Sequence, residues 1–135
     1  MAHVLVASAD VDMRELLLEL LTEAGHKVFA MSDGEVAWRL LHALPSNMVA
    51  VLDLVMPRLD SLDVLQKILT DPQVVRRHGL IVLTALPLCR LRSFAPDLLP
   101  NLPESVVVLM KPFDLEELEQ AVDSVAQKCL VEVVR

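Results

Sequence analysis

The sequence predicts one α/β domain: a parallel sheet covered by helices on both faces. Three observations carry this. Short apolar runs rich in β-branched residues alternate with amphipathic helical stretches from end to end. Most of those runs are continuous in hydropathy rather than alternating, as in strands buried on both sides. The chain is 135 residues long, the size of a single domain.

The elements follow in order. His3–Ala7 is a short apolar run bounded by Ser8-Ala9-Asp10 and reads as a buried strand. Asp10 is a natural N-cap for a helix over 11–24, with apolar positions at Leu16, Leu17, Leu20, Leu21 and Ala24, and Gly25 as its stop. Leu18 falls outside that stripe and should lean outward. Lys27–Ala30 is a second strand, and Ser32-Asp-Gly opens a second helix that runs to about Leu44 before Pro45. Met48–Leu54 is a third strand, strongly apolar except for Asp53. Pro57 marks a turn, and Asp60 can cap a third helix from Ser61 to about Leu69. Leu80–Thr84 and Val106–Met110 are the fourth and fifth strands. Asp114–Cys129 is a last amphipathic helix, apolar at Leu115, Leu118, Val122, Val125 and Cys129. The tail Leu130–Arg135 extends that helix, covers the sheet, or leads on into a longer chain. Residues 1–135 form one domain with an irregular, proline-rich segment at about 85–105, where Pro87, Pro96, Pro100 and Pro103 argue against a full-length helix.

Composition narrows the function. Hydrophobic residues make up 54% of the chain and aromatics only 3%, with no tyrosine, so the core is aliphatic and stacking platforms for single-stranded nucleic acid are absent. A net charge of −7 disfavours a phosphate-backbone binder. Cys89 and Cys129 stand forty residues apart, and the four histidines lack ligand spacing, so neither a disulfide framework nor a zinc site is expected. No apolar run nears the ~18 residues of a membrane span. With no basic leader ahead of the first strand, a cytoplasmic location is expected.

In an open parallel sheet, chemistry gathers beyond the carboxyl ends of the strands. Asp53, Thr84 and Lys111 lie at or just past three such ends and are expected to converge. At these residues the chain resembles a known family. Leu52-Asp-Leu-Val-Met-Pro57 followed by Asp60 resembles the phospho-acceptor segment of response-regulator receiver domains. Val82-Leu-Thr-Ala85 and Lys111-Pro-Phe113 are similar to that family's later motifs. The resemblance covers essentially the whole chain. It implies a flavodoxin-like, doubly wound parallel five-stranded sheet in the order 2-1-3-4-5. It also implies phosphorylation at Asp53, a hydroxyl partner at Thr84, a cation at Lys111 and a cis bond to Pro112. Mg²⁺ is implied too, held by an acidic pair after the first strand, by Asp53 and by a carbonyl near Val55.

Four departures bear on that implied activity. Ser8-Ala9 stands where the acidic pair belongs. Asp53 and Lys111 alone sum to zero charge, so no metal is needed for balance, and no cofactor is expected. Val108 replaces the aromatic ring whose rotation relays the signal in the family. Ser61 follows Asp60 in place of glycine, and the stretch from Thr84 to Lys111 is long and apolar, which suggests a rebuilt contact face over residues 86–110 and the last helix. The expected function is therefore an atypical receiver acting as a phosphorylation-independent protein-interaction module, not an enzyme. Its partner would be a protein, either a histidine kinase or a downstream effector. The alternative is a working phospho-acceptor in which Asp10 or Asp12 recruits Mg²⁺. No Gly-rich phosphate loop follows the first strand, which removes a nucleotide-binding reading.

Overall fold

A computed structural model of the chain describes residues 2–44, 47–54, 65–68, 70–85 and 106–134, with the backbone alone at 54 and 128–134. Its elements are β1 (His3–Ala7), α1 (Val11–Glu23), β2 (Lys27–Met31), α2 (Gly34–Ala43), β3 (Val49–Leu54), α3 (Pro72–Arg77), β4 (Gly79–Thr84), β5 (Val106–Met110) and α4 (Leu115–Val134). Residues 65–68 and 70 are also helical in backbone. All neighbouring strands pair in parallel, in the order β2-β1-β3-β4-β5. This is the flavodoxin-like sheet that the resemblance implied. The Pro57 turn, the Asp60 cap and the proline-rich segment up to residue 105 lie outside the described residues.

Side-chain alternation divides the core in two. Val4, Val6, Val49, Val51, Ile81 and Leu83 face one side, where Leu17 and Leu21 of α1 and Leu118, Val122 and Val125 of α4 cover them. Leu5, Ala50, Leu52, Leu80 and Val82 face the other, covered by Ala37 and Leu41 of α2, by Leu65 and Ile68, and by Val74 of α3. Every residue of β4 is buried, which explains its apolar run from Leu80 to Leu83.

Local chemistry sets the helix ends. Asp10 Oδ1 accepts from the amides of Asp12 (3.0 Å) and Met13 (3.4 Å) and caps α1. At the other end the Gly25 and His26 amides donate to Thr22 O (3.0 Å) and Leu21 O (3.1 Å), a Schellman closure. It places Gly25 at φ +94°, where a side chain would strain the backbone. Three positions of the expected stripes turn out differently: Leu16, Ala24 and Leu115 are exposed. Leu16 and Leu115 are 44% and 41% exposed, because α1 and α4 bury narrower faces than their apolar content suggests. Leu18 leans outward as expected.

Sequence reading stopped the third helix near Leu69 and missed α3. Its signals were present: Asp71 caps it through Gln73 N (3.0 Å) and Val74 N (3.4 Å), and Pro72 opens its first turn. The other carboxylate oxygen, Oδ2, lies 2.7 Å from His42 Nδ1 in the last turn of α2. Burial works against ionisation of Asp71, but the His42 contact and the two cap amides outweigh it and hold the carboxyl below its usual 3.8.

His78 closes the far end of α3 and is buried. Its Nδ1 accepts from Met48 N–H (3.0 Å), and Nε2 lies 2.8 Å from Leu41 O. The ring is thus neutral with its proton on Nε2. Burial pushes the imidazole below its usual 6.5, reinforced by Arg77 and opposed by the bond to the Leu41 carbonyl. An unfolded chain takes up a proton near that usual value while the folded ring refuses it. The His78 contribution to stability is therefore complete above that value and is lost as pH falls toward the lowered folded one. Urea unfolding at a series of pH values from about 7.5 to 5.5 should show this decline, and His78→Phe should flatten its share of the slope. Asp71→Ala should cost about 1 kcal/mol at neutral pH through the lost cap, measured by the same unfolding curves.

Candidate functional site

Strand register assembles the site. Ala7 pairs with Leu52, so Ser8 stands one step further, beside Asp53. Thr84 pairs with Met110, so Lys111 is the first residue past that pair. Alternation then turns Ser8 and Asp53 toward the α1 and α4 face and Thr84 toward the other. Lys111 must reach over β4 to β3, about two strand spacings of ~4.8 Å, which calls for a long side chain.

The side chains meet as this geometry dictates. Lys111 Nζ forms an ion pair with Asp53 Oδ1 without the alignment of a directional hydrogen bond. The Ser8 hydroxyl donates to Asp53 Oδ2 at 2.7 Å. The Asp53 side chain is fully buried and that of Lys111 is 18% exposed. Both carboxylate oxygens are therefore engaged by donors or cations of this chain. Thr84 is buried, and its carbonyl accepts from Lys111 N–H at 2.7 Å, which fixes the start of the Lys111-Pro112 loop. The Lys111–Pro112 bond is cis, as the resemblance implied. Asp10, the acid nearest the site in sequence, is engaged in capping α1 through Oδ1, and Asp12 is exposed. Among the described residues, no three His, Cys, Asp or Glu side chains are grouped to hold a metal ion.

Ser8 is the residue that sequence reasoning underrated. In the sequence it reads only as the loss of an acid. Its signal was a polar residue directly after a buried strand, one register step past the partner of Leu52. Beside the ion pair lies a cleft of about 500 Å³, lined by Met13, Leu16, Ala85, Lys111, Pro112, Phe113 and Leu115. The exposed Leu16 and Leu115 thus have a common setting at the mouth of the site.

The response regulator receiver domain model matches residues 4–123. The chain belongs to the response regulator receiver domain family. A probable chemotaxis protein CheY of Rhizobium etli is 32% identical over 123 residues, covering 90% of each chain. The CheY-like receiver domain protein of Methanospirillum hungatei is 28% identical with a TM-score of 0.72, over 94% of this chain and 95% of that one. The receiver domain of sensor histidine kinase PA1611 from Pseudomonas aeruginosa has a TM-score of 0.71 at 20% identity, over 93% and 98% of the two chains. That structure is described with a magnesium ion coordinated in its active-site cleft. This receiver domain is accordingly a module of two-component signalling. Among its described residues, no helix is long and apolar enough to cross a membrane.

The buried pair sets a stability prediction. Lys111→Met strands a desolvated carboxylate and should cost about 3 kcal/mol. Asp53→Asn introduced in the same chain should recover part of that loss. Unfolding curves of both single variants and the double variant measure the coupling, and strictly additive losses would contradict the pairing.

Proposed function

We propose that this receiver domain works as a protein-interaction module whose Asp53 is not phosphorylated in a Mg²⁺-dependent reaction. One observation carries the proposal: the Asp53 carboxylate is closed on itself by Ser8 and Lys111. Magnesium asks for near-octahedral oxygen coordination, usually with one or two carboxylates. Here the two oxygens of Asp53 face a hydroxyl proton and an ammonium, and Ala9 offers no ligand. The residues present do not fit the ion. A phosphoryl group arriving at Asp53 would meet Lys111 as its cation, with no acidic pair to hold a metal against the developing charge.

Val108 supports the same reading. It is half-buried beside Val82 and packed into the α2-side core, with no ring to change rotamer. The proposed partner is a protein, either a histidine kinase or a downstream effector, engaged over the apolar cleft next to the ion pair. The rebuilt face expected over residues 86–110 lies for the most part outside the described residues.

Incubation with acetyl phosphate or phosphoramidate and MgCl₂, followed by intact-mass measurement, tests the proposal. The expected result is an unshifted mass. Rapid, stoichiometric addition of one phosphoryl group that disappears in Asp53→Asn would overturn it.

A further inference from the structure

We infer that Ser8 sets the ligand class of this pocket: its hydroxyl serves as an internal substitute for a cation, and the residue at position 8 decides whether a divalent metal can enter. The inference rests on the interaction-module reading and deepens it. Ser8 is buried, and every polar group it carries is bound. Its amide donates to Met31 O at 3.0 Å, and its carbonyl accepts from Arg14 Nη1 at 2.8 Å. Its hydroxyl oxygen accepts from Asp10 N–H at 3.2 Å. The hydroxyl lies 3.3 Å from Asp10 O and 2.7 Å from Asp53 Oδ2, and its single proton belongs to the shorter, charge-assisted bond. Ser8 thereby joins β1, β2, the first turn of α1 and the Asp53 carboxylate.

The chemistry of this arrangement excludes a divalent ion on two counts. The Oδ2 lone pair that would bind the metal already accepts a proton from a side chain fixed at all its other polar atoms. The pocket charge, −1 at Asp53 and +1 at Lys111, leaves nothing for a dication to neutralise. A carboxylate at position 8 reverses both at once. It removes the donor and adds a negative oxygen ligand on the same side of Asp53. A carboxylate at Ala9, which is exposed, adds charge but leaves the donor in place.

Titration of the full chain with Mn²⁺, read by electron paramagnetic resonance, tests the assignment, with Mg²⁺ calorimetry in parallel. The natural chain and Ser8→Thr, which keeps the hydroxyl, should show no saturable binding. Ser8→Asp should bind at least about tenfold more tightly than Ser8→Ala, since the gain needs an anionic ligand and not only a lost donor. Should Ser8→Asp fail to fold, Ala9→Asp with and without Ser8→Ala makes the same comparison, and the double variant should bind the more tightly. Amide exchange at Asp10 should be fast in Ser8→Ala and slow in Ser8→Thr. Saturable metal binding by the natural chain would overturn the inference. So would a Ser8→Asp variant that folds yet binds no better than Ser8→Ala. That last result would leave the phosphorylation result untouched, whereas labelling of the natural chain at Asp53 would remove the interaction-module reading itself.

Discussion

A carboxylate with no exposed surface has to be compensated where it stands, and in this receiver domain Asp53 makes that demand on the structure around it. Lys111 meets it from one side and Ser8 from the other. The parallel register of four strands is what brings three residues, far apart in sequence, to a single point. A slip of one residue in β3 would turn Asp53 into the opposite core layer and leave Lys111 without a partner. The pair therefore says more about uniqueness of register than about net stability, because desolvation offsets much of its attraction.

Much of the fold was legible because the chain uses simple signals. Continuous Leu and Val runs marked the buried strands, and β4 is buried at every position. Asp10 and Gly25 bracketed α1 as a cap and a left-handed closure. What the sequence hid was contact-level. Periodicity placed Leu16, Ala24 and Leu115 in the core, yet Leu17 and Leu21, with Leu118, Val122 and Val125, are the buried ones, leaving Leu16 and Leu115 at the cleft and Ala24 exposed. The Asp71-Pro72 signature opens a helix of only six residues, with Val74 as its one buried position, too short to show an apolar period.

The site was legible to the same depth. Asp53, Thr84 and Lys111 were expected to converge from their positions at strand ends, and the structure pairs Asp53 with Lys111. Thr84 joins through its backbone carbonyl to Lys111 N–H, a contact no side-chain pattern could announce. Ser8 was visible only as a missing acid, because a hydroxyl acquires its role from the register that sets it against Asp53. Receiver domains are recognised by a few strand-end residues. Here Ser8, which departs from that pattern, contacts the Asp53 carboxylate as Lys111, which keeps it, does.

At the opposite end of the sheet, His78 answers a different demand. It accepts from one backbone amide, just ahead of β3, and donates to one backbone carbonyl, in α2, both buried. The side chain at that place must offer an acceptor and a donor about one ring-width apart, and it must do so without charge. Lys, Arg, Asp and Glu fail the last condition, Ser and Thr are too short to span the gap, and apolar residues strand both backbone groups. Position 78 is thus chemically narrow, so a random library of this chain should tolerate far fewer residue types there than at its equally buried aliphatic neighbours in β4.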